Sequence, residues 1–154
     1  MSSNCKFEVL SQQLTAYMRE RTPVKDLPDV MGKCYAQIAS AVQAQGLQIS
    51  GAPYTLYLNM DMQDLEVEIG FPVDGVLTVE SDVRAGEIPS GRYASCIHLG
   101  PYATVAQAYE ALADWATEQG VQPSGVSYEF YLNDPDDTPA SELATRILFP
   151  LLPD

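Results

Sequence analysis

Positive charge is what this sequence lacks most. Eight lysines and arginines stand against 21 aspartates and glutamates, a formal net charge of −13 over 154 residues. Nucleic acid is held through its phosphates by clustered lysine and arginine, so this balance argues against direct DNA or RNA binding. No basic amphipathic face offers itself to an anionic membrane either. Histidine is nearly absent: His98 alone accompanies three cysteines, Cys5, Cys34 and Cys96, at no paired spacing. That set makes no recognisable zinc site, and odd, scattered cysteines point to a reduced, cytoplasmic compartment. No apolar stretch approaches the roughly 20 residues needed to span a bilayer. The opening MSSNCKFEVL has no basic start followed by an apolar run, so no signal peptide is expected. The acidic run DPDDTP at 134–139 lacks the alternating ligands, central glycine and final glutamate of a calcium loop and is read as a polar turn. No metal and no cofactor are implied.

What the chain does contain is a repetition. Residues 46–59 read GLQISGAPYTLYLN and residues 120–133 read GVQPSGVSYEFYLN, with eight identities in register across fourteen positions. Unrelated stretches would share about one, so the sequence holds an internal duplication. At the same offset of 74, Met31 matches Val105, Tyr35 matches Tyr109, Ile38 matches Leu112 and Val42 matches Ala116. Those positions advance at helical spacing. One helix is predicted to start between Asp26 and Pro28 and to end at Gly46. The other is predicted to start after Thr104 as N-cap, with Gln107 completing a capping box, and to end at Gly120.

A strand precedes each helix, in KFEVLSQQLTAYMRE and in GRYASCIHLG, and the duplicated aromatic strand follows it. A further strand closes each half: DLEVEIGFPV alternates Leu65, Val67, Ile69 and Phe71 with Glu66, Glu68 and Gly70, and ATRILFPL echoes it at an offset of 78. The predicted class is α+β: one domain over residues 1–154, with pseudo-repeats at about 5–74 and 75–154 of a strand-helix-strand-strand unit. The two units are expected to form a curved antiparallel sheet with two helices on one face and a ligand groove between the halves.

Within the duplicated strand, one exchange stands out: Thr55 in the first copy is Glu129 in the second. Neighbours in a strand point to opposite faces, so Glu129 shares a face with Tyr131, and Thr55 with Tyr57. Burying an unpaired carboxylate beneath a helix is costly. Thr55, Tyr57, Glu129 and Tyr131 are therefore expected on the face away from the helices, with Tyr128 and Phe130 beneath them. Glu68 and Arg146 are placed in the same groove. Two tyrosines flanking one carboxylate suit a flat or quaternary cation, the rings supplying contact area and the acid selecting charge. The bland alternative is a solvated strand glutamate beside tyrosines that merely pack. Tyr102, after the Gly-Pro turn, is placed at the groove rim, Trp115 as core or groove wall, Cys96 in the core, and His98 as a structural residue.

The second half, with HLGPY before the helix, Tyr109 and Trp115 within it, YEFYLNDP after it and the closing TRILFPL, resembles the GyrI-like (gyrase-inhibitor-like) ligand-binding domain. That domain is also the effector-binding domain of AraC-type and MerR-type multidrug-responsive regulators. DLEVEIGFPV in the first half matches the family's acidic strand, so the resemblance covers nearly the whole chain. It implies a bacterial binder of lipophilic, often cationic small molecules, with Glu129 as counter-ion. Two departures matter. Arg146 follows Thr145 where the family usually carries an acid, and a groove arginine would pair with Glu129 or Glu68 and shift the charge preference. No sequence remains for a helix-turn-helix, which implies a stand-alone domain whose ligand is sequestered or reported to a regulator or other protein partner. Two alternatives stay open: a cofactor-independent, metal-free hydrolase of strained genotoxins in the same groove, with Glu129 moving the proton, and a protein-interaction inhibitor of the gyrase-inhibitor type.

Overall fold

A computed structural model describes residues 4–78 and 81–153. Eight strands run in chain order: β1 (Lys6–Leu10), β2 (Gln13–Thr22), β3 (Tyr54–Tyr57), β4 (Leu65–Pro72), β5 (Arg84–Ile88), β6 (Gly91–Leu99), β7 (Ser127–Tyr131) and β8 (Ala144–Pro150). Helix α1 (Leu27–Ala44) lies between β2 and β3, and α2 (Val105–Glu118) between β6 and β7. The pairings within each unit are antiparallel. The α+β class and the repeated order strand, helix, strand, strand are as the sequence predicts.

The chain forms two compact units. One, residues 11–90, has strand order β3-β4-β2-β5 and carries α1. The other joins β1 to everything from β6 onward, has order β7-β8-β6-β1 and carries α2. The orders correspond strand for strand, yet the outer strands are exchanged: β1 precedes β2 but pairs with β6, and β5 precedes β6 but pairs with β2. The predicted single strand over KFEVLSQQLTAYMRE is thus two strands in two units.

Each helix presents one apolar stripe to its sheet. Leu27, Cys34, Ile38 and Val42 of α1 are buried with Ala16, Met18, Leu65, Val67 and Ile69. In the second unit, Leu112 packs with Ala94, Cys96, Ile147 and Phe149, and Tyr109 and Trp115 lie against that cluster. Both helices stop in the same way. Gly46 and Gly120 take φ of 72° and 73°. Their amides bond back to Gln43 and Thr117, and the following residues, Leu47 and Val121, to Val42 and Ala116. This paired closure requires a left-handed residue, which glycine adopts without a Cβ clash. The helix start differs from expectation: Thr104 is the N-cap but makes no cap bond with its side chain. Its hydroxyl donates to the Pro101 carbonyl at 2.9 Å and meets His98 Nε2 at 3.0 Å.

The repeated asparagine has a visible job. Asn59 donates to the Asp64 carbonyl at 3.1 Å and accepts from the Glu66 amide at 3.1 Å, and Asn133 does the same with Glu142 and Ala144 at 2.9 Å each. Each side chain thereby clips the connection out of the aromatic strand, β3 to β4 and β7 to β8, giving partners to backbone groups there.

Candidate functional site

Glu129 sits in the middle of β7, paired with Ile147 of β8. Ile147 belongs to the cluster beneath α2, so the carboxylate points toward the helix. It is 7% exposed. Tyr109 of α2 donates its hydroxyl to Oε2 at 2.6 Å, and Tyr131 donates to Oε1 at 3.0 Å. The Tyr109 hydroxyl also lies 3.2 Å from Ser127 Oγ. A buried carboxyl is tolerated where its oxygens are hydrogen-bonded, and here each accepts from a phenol hydroxyl. The ring of Tyr102 meets that of Tyr131 edge-on at 5.7 Å, and Tyr102 is 38% exposed. Burial, followed by the carboxylates of Asp134 and Glu129, pushes the Tyr102 hydroxyl above the ordinary tyrosine value. The arrangement is a buried acid held by phenols, bordered by an aromatic ring that reaches solvent.

The assignment of faces is therefore reversed. Glu129 and Tyr131 lie under α2, and Thr55 lies under α1, where its Oγ1 is 3.9 Å from Met31 Sδ. Tyr57 packs on the same α1-side core. Tyr128 and Phe130 occupy the opposite face, with Tyr93 6.4 Å from Tyr128 and the Arg146 guanidinium 5.8 Å from the Phe130 ring. The premise that a helix repels a carboxylate fails because this helix brings a phenol donor of its own. Tyr109 is the residue that the reading of the strand missed. Its signal was present: it shares a helical stripe with Leu112 and Ala116, and a phenol on a sheet-facing stripe needs a hydrogen-bond partner.

Two charged residues expected beside Glu129 are elsewhere. Arg146 stands opposite Phe130 and pairs with Glu8 of β1, its Nε 3.2 Å from Oε2. It lies on the other face of the sheet from Glu129, so the arginine does not pair with that carboxyl group. Glu68 pairs across β4 with Leu56 and Arg19, facing away from Thr55. Burial and Glu66 raise its carboxyl and Arg19, 3.9 Å away, lowers it, with burial prevailing. Trp115 packs against Phe7 of β1, ring centroids 4.7 Å apart and planes tilted by 57°, at the far edge of the second unit's sheet from β7. Of the eight residues picked from the sequence, Glu129, Tyr131 and Tyr102 come together. Among the described residues no three His, Cys, Asp or Glu side chains are grouped to hold a metal ion, and no helix is long and apolar enough to cross a membrane.

The GyrI-like small molecule binding domain model matches residues 3–152. The chain belongs to the GyrI-like family. No curated protein sequence matches it. Among solved structures, the EcmrR C-terminal domain superposes with a TM-score of 0.80 at 21% identity, covering 96% of each chain. EcmrR in a DNA complex gives 0.85 at 21% identity, and there the GyrI-like chain spans only 56% of the EcmrR polypeptide while 96% of its own length is covered. SAV2435 bound to tetraphenylphosphonium gives 0.67 at 14% identity, covering 96% of this chain and 93% of that one. A hydrolase from Listeria innocua gives 0.72 at 12% identity, covering 97% and 92%. At these identities the likeness is one of fold.

Proposed function

We propose that this GyrI-like domain binds a lipophilic organic cation, with Glu129 as counter-ion and Tyr131 and Tyr102 as aromatic walls. The observation that carries the reading is the chemistry of the donors on Glu129. Tyr109 and Tyr131 orient the carboxylate through their phenol hydroxyls, uncharged donors that fix its position. A buried negative charge placed among aromatic rings favours a cation whose own surface is apolar, because little hydration is lost on entry. Arg146, engaged with Glu8, does not oppose it. Support also comes from a relative of the same fold, SAV2435, whose structure holds the tetraphenylphosphonium cation.

The test is calorimetric titration with tetraphenylphosphonium. Glu129→Gln keeps the hydrogen-bonding shape and removes the charge, and it is expected to weaken binding at least tenfold, about 1.4 kcal/mol. Equal affinity of wild type and variant sinks the counter-ion role. A second reading rests on the same two bonds: a carboxylate in contact with phenol hydroxyls is also a proton-transfer set, suited to a metal-independent hydrolase. Release of product from a strained electrophile by the wild type, abolished in Glu129→Gln, separates turnover from binding.

A further inference from the structure

Cys5 and Cys96 are far apart in sequence and meet in the second unit. β1 runs against β6 with Lys6 opposite Ser95, and just beyond the paired residues the Asn4 side chain donates to the Ile97 carbonyl at 2.8 Å and accepts from the Ile97 amide at 3.1 Å. Cys5 lies between these two anchors, and extending the Lys6–Ser95 register by one step sets it opposite Cys96. Cys5 packs against the cluster that contains Cys96, and both line the same two depressions. Cys96 is 3% exposed, its Sγ 3.8 Å from the Ala108 carbonyl of α2, while Cys5 is half-buried at the margin of the same cluster. Opposed residues of an antiparallel pair have Cα atoms about 4.5–5.5 Å apart, inside the range of about 4.4–6.8 Å that a disulfide spans. Depressions of about 360 and 250 Å³ open beside the pair, one reaching Lys6 and Glu8, the other Gln107 and Ala111, so a small reagent can approach Cys5.

We propose that Cys5 and Cys96 form a redox-modification site, a dithiol that low-molecular-weight disulfides convert to an intramolecular disulfide tying β1 to β6. The Cys5 thiolate attacks one sulfur of the oxidant, giving a mixed disulfide and releasing one thiolate. The Cys96 thiolate then attacks the Cys5 sulfur and expels the second. Two protein thiols lose two electrons, one small disulfide is reduced to two thiols, and the two protons pass to the departing thiolates. In a reducing compartment such a bond is transient and responds to the redox state, in contrast to a structural disulfide. Burial pushes both thiols up, Cys96 to about 12, so the exchange accelerates as pH rises through neutrality. Cys34, buried on α1 in the other unit, takes no part.

The experiment incubates the full chain with glutathione disulfide at neutral and mildly alkaline pH. It then counts thiols after denaturation and maps peptides without reduction. Titratable thiols are expected to fall from three to one, with a cross-linked peptide joining Cys5 to Cys96 and a rate rising several-fold per pH unit. Cys34→Ala is expected to form the same cross-link, and Cys5→Ser to retain both of its thiols. Three thiols persisting in the wild type, a glutathione adduct on Cys5 that never closes, or a cross-link through Cys34 overturns the proposal. The wild-type map decides even where a variant folds poorly.

Discussion

The hydroxyl of Tyr109 on α2 donates to Glu129 Oε2 on β7 at 2.6 Å, joining the helix to the sheet beneath it through a buried carboxyl group. The bond is both a structural tie and part of the candidate site. Tyr109→Phe leaves the ring packed near Phe149, 5.8 Å between centroids, and removes the donor. It is expected to destabilise the protein by about 1–3 kcal/mol, the range for losing a hydrogen bond to a charged group. In a Glu129→Gln background the same substitution should cost clearly less. Urea unfolding of the four members of this cycle measures the coupling, and additivity would show that the hydroxyl contributes independently of the Glu129 carboxylate.

Glu8 of β1 and Arg146 of β8 pair across β6 on the opposite face, with side chains 18% and 27% exposed. Burial raises the Glu8 carboxyl, but Ser95 and then Arg146 lower it further, so its net position is below the ordinary glutamate value. A carboxyl lowered in the folded state contributes stability above its unfolded pKa and loses it as pH falls through the folded one. Arg146→Gln removes the guanidinium and leaves a mostly buried acid with less support. It is expected to cost about 1–2 kcal/mol at pH 7, between the surface and buried limits for ion pairs. The cost should shrink as pH falls below the unfolded glutamate value and through the lowered folded one, where Glu8 protonates in both states. Melting temperatures at pH 7 and in acid well below the ordinary glutamate range test this, and a deficit independent of pH would deny the ion pair its role.

Much of this architecture could be read from the sequence because duplication writes each element twice. The helices, their glycine stops and the aromatic strands all carried local signals in register. The facing of Glu129 could not be read from its strand, because the partner that permits its burial lies on α2, twenty positions earlier. Strand parity correctly grouped Glu129 with Tyr131, and the error lay in deciding which group the helix covers. That choice turned on the general cost of a buried carboxylate, when the local question was whether a donor awaited it. The exchange of β1 and β5 was likewise invisible. Pairing partners of outer strands are set by nonlocal contacts that periodicity does not encode.

Gly46 and Gly120 offer a clean measure of the left-handed helix stop. A Cβ added at either position meets no atom within 4 Å, so Gly→Ala tests the backbone alone. Each substitution is expected to cost about 1 kcal/mol, the steric penalty for an L-residue at positive φ. The two sites lie in separate units and should be additive. Chemical denaturation of both single variants and the double variant checks this, and a cost near zero would mean that the helix ends shift to a different closure.

Thr145 on β8 is the last case, because its hydroxyl has been buried without evident return. The residue is fully buried, and its Oγ1 has no hydrogen-bond partner among the described residues. It stands in register between His98 of β6 and Tyr131 of β7. An unsatisfied buried hydroxyl carries its desolvation cost in the folded state only, and replacing it with a methyl of the same shape removes that cost. Valine keeps the β-branch that suits a strand. Thr145→Val is therefore expected to stabilise the protein by about 1 kcal/mol, raising its denaturation midpoint with an unchanged slope. Thr145→Ser, which keeps the hydroxyl and removes the methyl, should destabilise it by opening a small void. A destabilised valine variant beside a tolerated serine variant would reverse the argument and assign the hydroxyl a polar role next to Tyr131.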